Sequence, residues 1–200
     1  GPLGCTHTTM HDFASMRALP NLTILAPCDA VQTEYLTDLL CQFTGPVYMR
    51  MGRGDVPPVY EAGEKFEIGK IKTVCEGTDA TIIACGEMVA PAKKAAELLQ
   101  AEGISVRVLD CFTIQPMDTK TVEKALRETR AVVTVEEHST RGGLGEAVSH
   151  IAAELRGSAP MRLLGLPEEV VIGKSQELFA YYGLTPEGIS AAIKERLERE

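Results

Sequence analysis

Three short stretches of this 200-residue chain carry side chains able to do chemistry. In CTHTTMHDFASMR, His7 stands in a loop ahead of a helix expected to start near Thr8 or Thr9 and to carry Phe13, Met16 and Arg17. A loop imidazole beside a helix N-terminus can hydrogen-bond an anionic or hydroxylated ligand. In PVYMRMGRG, Arg50 closes a short strand and Arg53 sits in the turn after it. Strand ends are where open α/β sheets hold ligands, and a guanidinium grips phosphate through two parallel N–H groups. EEHSTRGGLGEAV, from Glu136 to Val148, puts a glycine-rich turn between a strand and a helix. It lacks the GxGxxG and GxxxxGK spacings of a phosphate cradle, which favours a tight turn over a ligand site. Glu136, Glu137 and His138 have the types for acid/base work, although a strand-end cluster more often caps or joins elements. No Ser/His/Asp set and no metal-ligand spacing stands out.

The elements that must position these residues follow an α/β rhythm. NLTILAP reads as a strand, and Asp29 caps a helix whose Val31, Tyr35, Leu36, Leu39 and Leu40 form one apolar stripe. GPVYMRM then completes a parallel crossover unit. The Gly- and Pro-rich stretch from Gly52 to Glu67 has no periodicity and reads as a linker. Beyond it, ATIIACG, ISVRVLD and AVVTVEE are near-continuous apolar strands, as in a sheet covered on both faces. Helices are expected over Val89–Glu102, Thr119–Glu128, Leu144–Arg156, Ser175–Tyr182 and Pro186–Arg199, the last with Thr185 as its cap.

Composition bounds the function classes. The chain is 44% hydrophobic and 24% charged, which is globular rather than disordered. A net charge of -8 disfavours nucleic acid as a partner, since phosphate binding draws on clustered Lys and Arg. No apolar run approaches the roughly 20 residues of a membrane span, and no signal peptide is evident. Six cysteines without CxxC spacing read as reduced thiols rather than a disulfide framework or zinc site. These features predict a soluble, cytoplasmic protein.

Taken in order, THTTMHDFASMRALPNLTILAPCDAVQTE, LDCFTIQPMD, VVTVEEHSTRGGLGEAV and IGKSQELFAYYGLTPEGI resemble the thiamine-diphosphate-dependent transketolase family over almost all of residues 5–200. The resemblance implies a three-layer αβα fold with a mostly parallel sheet, of the transketolase C-terminal type, preceded by a partial α/β pyrimidine-binding domain. Residues 1–4 then read as a tag remnant, 5–60 as the truncated end of the pyrimidine-binding domain, 61–66 as a linker and 67–200 as the C-terminal domain. By resemblance His7 faces the substrate as a catalytic residue, and Arg53 and Arg17 bind the sugar phosphate. THTT departs from the family's THQ and THHG, so donor and acceptor sugars are not legible. The parent enzyme is expected to be a homodimer of the pentose phosphate pathway that moves two-carbon ketol units between phosphosugars. Thiamine diphosphate and Mg²⁺ would be held by an N-terminal half or subunit, leaving this chain alone without cofactor or metal ligands and inactive. Deoxyxylulose phosphate synthase, a 2-oxoacid dehydrogenase β subunit and a non-catalytic dimerisation module are the alternatives. A segment 5–60 deprived of neighbouring strands is expected to be disordered, repacked or self-associated.

Overall fold

The computed structural model describes residues 9–52, 54–169 and 171–198. The first segment runs α1 (Asp12–Arg17), β1 (Thr23–Leu25), α2 (Ala30–Leu40) and β2 (Val47–Met49). The Asp29 side chain accepts the Gln32 N–H at 2.8 Å, the expected cap of α2, and Leu36 of the apolar stripe is buried. β1 and β2 pair in parallel across this helix.

The second part carries β3 (Lys72–Cys75), β4 (Ala80–Ala84), a 3₁₀ turn (Gly86–Met88), α3 (Val89–Ala101), β5 (Val106–Asp110), β6 (Thr113–Gln115), α4 (Thr119–Glu128), β7 (Ala131–Ser139), α5 (Leu144–Glu154), β8 (Met161–Leu166), α6 (Ser175–Tyr181) and α7 (Pro186–Glu198). Five strands form one sheet in the order β3-β5-β4-β7-β8. β5, β4, β7 and β8 are parallel, and β3 adds antiparallel to β5. Helices α3 and α7 pack against each other on one face, α4 and α5 on the other, giving the three-layer αβα architecture. The central strands are apolar on both sides because both faces are covered: Ile82 and Val133 enter one core, Ile83 and Val132 the other. Thr185 Oγ1 accepts the Gly188 N–H and caps α7 as expected.

The first segment does not stand apart from this unit. The chain leaves the five-stranded sheet after β5, and β6 pairs antiparallel with β1, so the second sheet has the order β2-β1-β6. The expected loss of neighbouring strands is thus made good on one side of β1. From Gly54 to Glu67 the chain has neither helix nor strand, yet it is tied down. Val59 and Tyr60 N–H groups both donate to Asp29 Oδ2 at 2.8 Å, and the Tyr60 and Phe66 rings pack edge to face in the core.

Candidate functional site

In an open parallel sheet the ligand crevice opens at the strand C-termini, where successive connections leave in opposite directions. Here that point lies between β4 and β7, and the first segment occupies it. A small crevice remains there, lined by Phe13, Ala26, Arg50, Cys85, Glu87 and Glu137 among others.

The sequence brings Arg50 to this point because β2 ends beside β1. Its guanidinium turns inward: Nη2 donates to the Glu137 carbonyl at 2.6 Å, Nε lies 3.6 Å from Asp12 Oδ2, and the cation sits 4.9 Å over the Phe13 ring. Tyr48 hydroxyl donates to the same Asp12 oxygen at 2.9 Å. Burial raises the pKa values of Glu87 and Glu137, while Arg50 opposes the shift in each.

EEHSTRGGLGEAV wraps the other side of α1. Glu136 is fully buried and accepts the Leu144 and Gly145 N–H groups at 2.7 and 2.8 Å, so the first two donors of α5 are already taken. Burial pushes its pKa up to about 7 against those hydrogen bonds and the nearby Arg50 and Arg17 cations. His138 Nδ1 lies 2.6 Å from the Ser139 carbonyl, which fixes the proton there, and Nε2 accepts the Ala14 N–H at 3.4 Å. Burial holds this imidazole below its usual pKa, in the neutral form that the hydrogen bonds require. The tight-turn reading of the glycines is the one realised: Gly142 has φ +73°, and a Cβ on it would fall 2.4 Å from that of Ala14.

Of the residues expected to bind substrate, His7 and Arg53 lie outside the described residues. Arg17 is described, in the last turn of α1, where Nη1 donates to the Gly142 and Gly143 carbonyls at 2.6 and 3.0 Å. The structure therefore joins Arg17, Arg50 and the Glu136–His138 stretch around one helix. A second buried group was not anticipated. Asp110 Oδ2, at the end of β5, accepts from Gln32 Nε2 at 2.7 Å, from Tyr60 hydroxyl at 2.8 Å and from Cys28 Sγ at 3.8 Å. Burial raises its pKa to about 7.

These residues do not fit the metal–diphosphate half of a cofactor site. Among the described residues no three His, Cys, Asp or Glu side chains are grouped to hold a metal ion. The helix N-terminus that could cradle phosphate is filled by Glu136, with Ala14 against the turn. Among the described residues, no helix is long and apolar enough to cross a membrane.

Fold and crevice define an α/β unit whose strand ends are sealed by a preceding βαβ segment. The family model described as "Transketolase, C-terminal domain" matches residues 69–189, and that described as "Transketolase, pyrimidine binding domain" matches residues 1–58. The chain belongs to the transketolase family, a family of thiamine-diphosphate-dependent transferases. It is 46% identical to one subunit of the apulose-4-phosphate transketolase of Phocaeicola vulgatus, over 100% of this chain and 64% of that protein. It is 36% identical to a 1-deoxy-D-xylulose-5-phosphate synthase of Chlorobium luteolum, over 98% of this chain and 32% of that enzyme. Among solved structures, a split gene transketolase described as an inactive β4 tetramer superposes with a TM-score of 0.89, at 39% identity, over 96% of this chain and 62% of that one. The chain thus spans less than two thirds of the length of each of these relatives.

Proposed function

We propose that this chain is the C-terminal portion of a split transketolase that moves two-carbon ketol units between phosphosugars, in complex with an N-terminal, cofactor-binding partner. The observation that carries this reading is the likeness, along the whole chain, to one subunit of an apulose-4-phosphate transketolase. The filled helix N-terminus and the absence of a grouped metal-ligand set among the described residues support assigning Mg²⁺ and the diphosphate to the partner. His7 would face the reacting carbons of the sugar. Arg53 would grip the remote phosphate, with Arg17, whose guanidinium carries further N–H groups beyond those of Nη1 held by the turn, assisting. Anchoring the anionic end fixes the carbonyl end in a reactive position. Homodimeric pairing of the complete enzyme and a cytoplasmic location belong to the same reading.

Titration calorimetry with thiamine diphosphate and Mg²⁺ tests it, on this chain alone and mixed with its N-terminal partner. Binding confined to the mixture is the expected result; binding by the chain alone would refute the assignment of the cofactor to the partner. Pyruvate as donor to the mixture separates ketol transfer from synthase chemistry, and no deoxyxylulose phosphate is expected.

A further inference from the structure

Helix α1 is only six residues long and no side chain of its own caps it. An isolated helix of that length is not stable in water. Besides Tyr48 and Arg50 of the first segment on Asp12, what holds it comes from more than a hundred residues away, around the end of β7. The Ser139 N–H donates to the Met10 carbonyl at 2.8 Å, fixing the chain just before the helix. His138 Nε2 accepts the Ala14 N–H in the first turn. Its ring stacks on Phe13, with centroids 5.0 Å apart and planes inclined by 24°. At the other end Arg17 is held by the Gly142 and Gly143 carbonyls. The glycines are required for this approach, since a Cβ on Gly143 would fall 2.7 Å from His138 Nδ1, just as one on Gly142 would strike Ala14.

His138 is the hinge of the arrangement. It is fully buried, and the Ser139 carbonyl sets its tautomer so that Nε2 presents a lone pair to α1. Among the described residues, its ring meets the β4–β7 crevice through Phe13, and its chain neighbour Glu137 also lines that crevice. His7 precedes Met10, the residue whose carbonyl Ser139 holds, by three positions in the sequence.

We propose that His138 is a positioning residue for ketol transfer: it holds the first turn of α1 from the other half of the molecule, and so fixes the chain that follows His7 in sequence. This rests on the transketolase reading of the chain. The EEHSTRGGLG stretch is then a docking cradle for a helix and not a ligand loop.

Two substitutions test it. His138→Phe keeps the ring and its stacking on Phe13 but removes the acceptor; His138→Gln can restore an acceptor through its side-chain carbonyl. Amide exchange is read on this chain alone. In His138→Phe, the Ala14 amide is expected to exchange about tenfold faster, as for one lost hydrogen bond, while β4 and β5 amides stay within about twofold of wild type. His138→Gln is expected to recover most of the protection. In the complex with the N-terminal partner, His138→Phe should lower kcat about tenfold and leave the phosphosugar KM within about twofold, because Arg17 keeps its own hold on the Gly142 and Gly143 carbonyls and Arg53 lies beyond α1 in sequence. Unchanged exchange at Ala14 would overturn the hold on α1. Faster exchange with unchanged kcat would overturn the positioning role. A wild-type complex without ketol transfer would refute the functional reading and the kinetic half of the proposal with it, while the exchange data still decide whether His138 holds the helix.

Discussion

Two strands of the second part, β7 and β5, each carry a buried carboxylate toward the end that faces the first segment, and the two junctions are built differently. Near the end of β7, Glu136 has the Arg50 and Arg17 cations nearby as well as its two backbone N–H donors. At the end of β5, the hydrogen-bond partners of Asp110 are all neutral: Gln32, Tyr60 and Cys28. A neutral set cannot compensate a buried charge as cations do, and it leaves Asp110 Oδ1 without a hydrogen bond. The first junction fixes a short helix through many directional contacts. The second fastens a strap, since Tyr60 links the irregular stretch after β2 to both halves of the molecule.

The comparison can be broken most severely at the glycine turn. Gly142→Ala adds a Cβ within 2.8 Å of Ala14 Cα at a positive φ, so either the turn or α1 must move. We expect a loss of about 3 kcal/mol in urea unfolding, with the β7 junction failing before the β5 junction in amide exchange. Tyr60→Phe removes one donor from a buried carboxyl and should cost about 1–2 kcal/mol, read in the same way. It should also raise the pKa of Asp110, whose carboxylate form that hydroxyl favours.

Acidity offers a subtler test. Asp110 and Glu136 hold their protons in the folded state to about pH 7, whereas unfolded carboxyls release them near pH 4. Between those limits the folded chain binds more protons, so these two groups make stability fall as pH rises through the window. Urea midpoints between pH 5 and pH 8 should show that slope, and Asp110→Asn should flatten it in part without abolishing it. Outside both junctions, the half-exposed pair of Lys194 and Glu102, 2.7 Å apart, serves as a control. Lys194→Ala should change stability by about 0.5 kcal/mol or less.

What the sequence made legible follows from how each element is stabilised. β4, β5 and β7 announce themselves because a strand covered on both faces must be apolar throughout. β3, β6 and β8 did not: β3 and β8 lie at the sheet edges with mixed burial, and β6 is three residues long. Their pairing is set by partners distant in sequence, which no local pattern records. The caps at Asp29 and Thr185 were readable, since capping is a local hydrogen bond. Arg17 was singled out by resemblance, yet its contacts with the glycine turn needed the fold. Asp12, Asp110 and Tyr60 carried no local signal that would group them, because their partners lie tens of residues away.

The central claim, that this chain is one half of a ketol-transferring enzyme, is tested most directly by assaying two-carbon transfer between phosphosugars with thiamine diphosphate and Mg²⁺. The chain alone, the N-terminal partner alone and the mixture would be compared. Transfer in the mixture only is the predicted result; transfer by these 200 residues alone, or none in a mixture shown to form a complex, would contradict it.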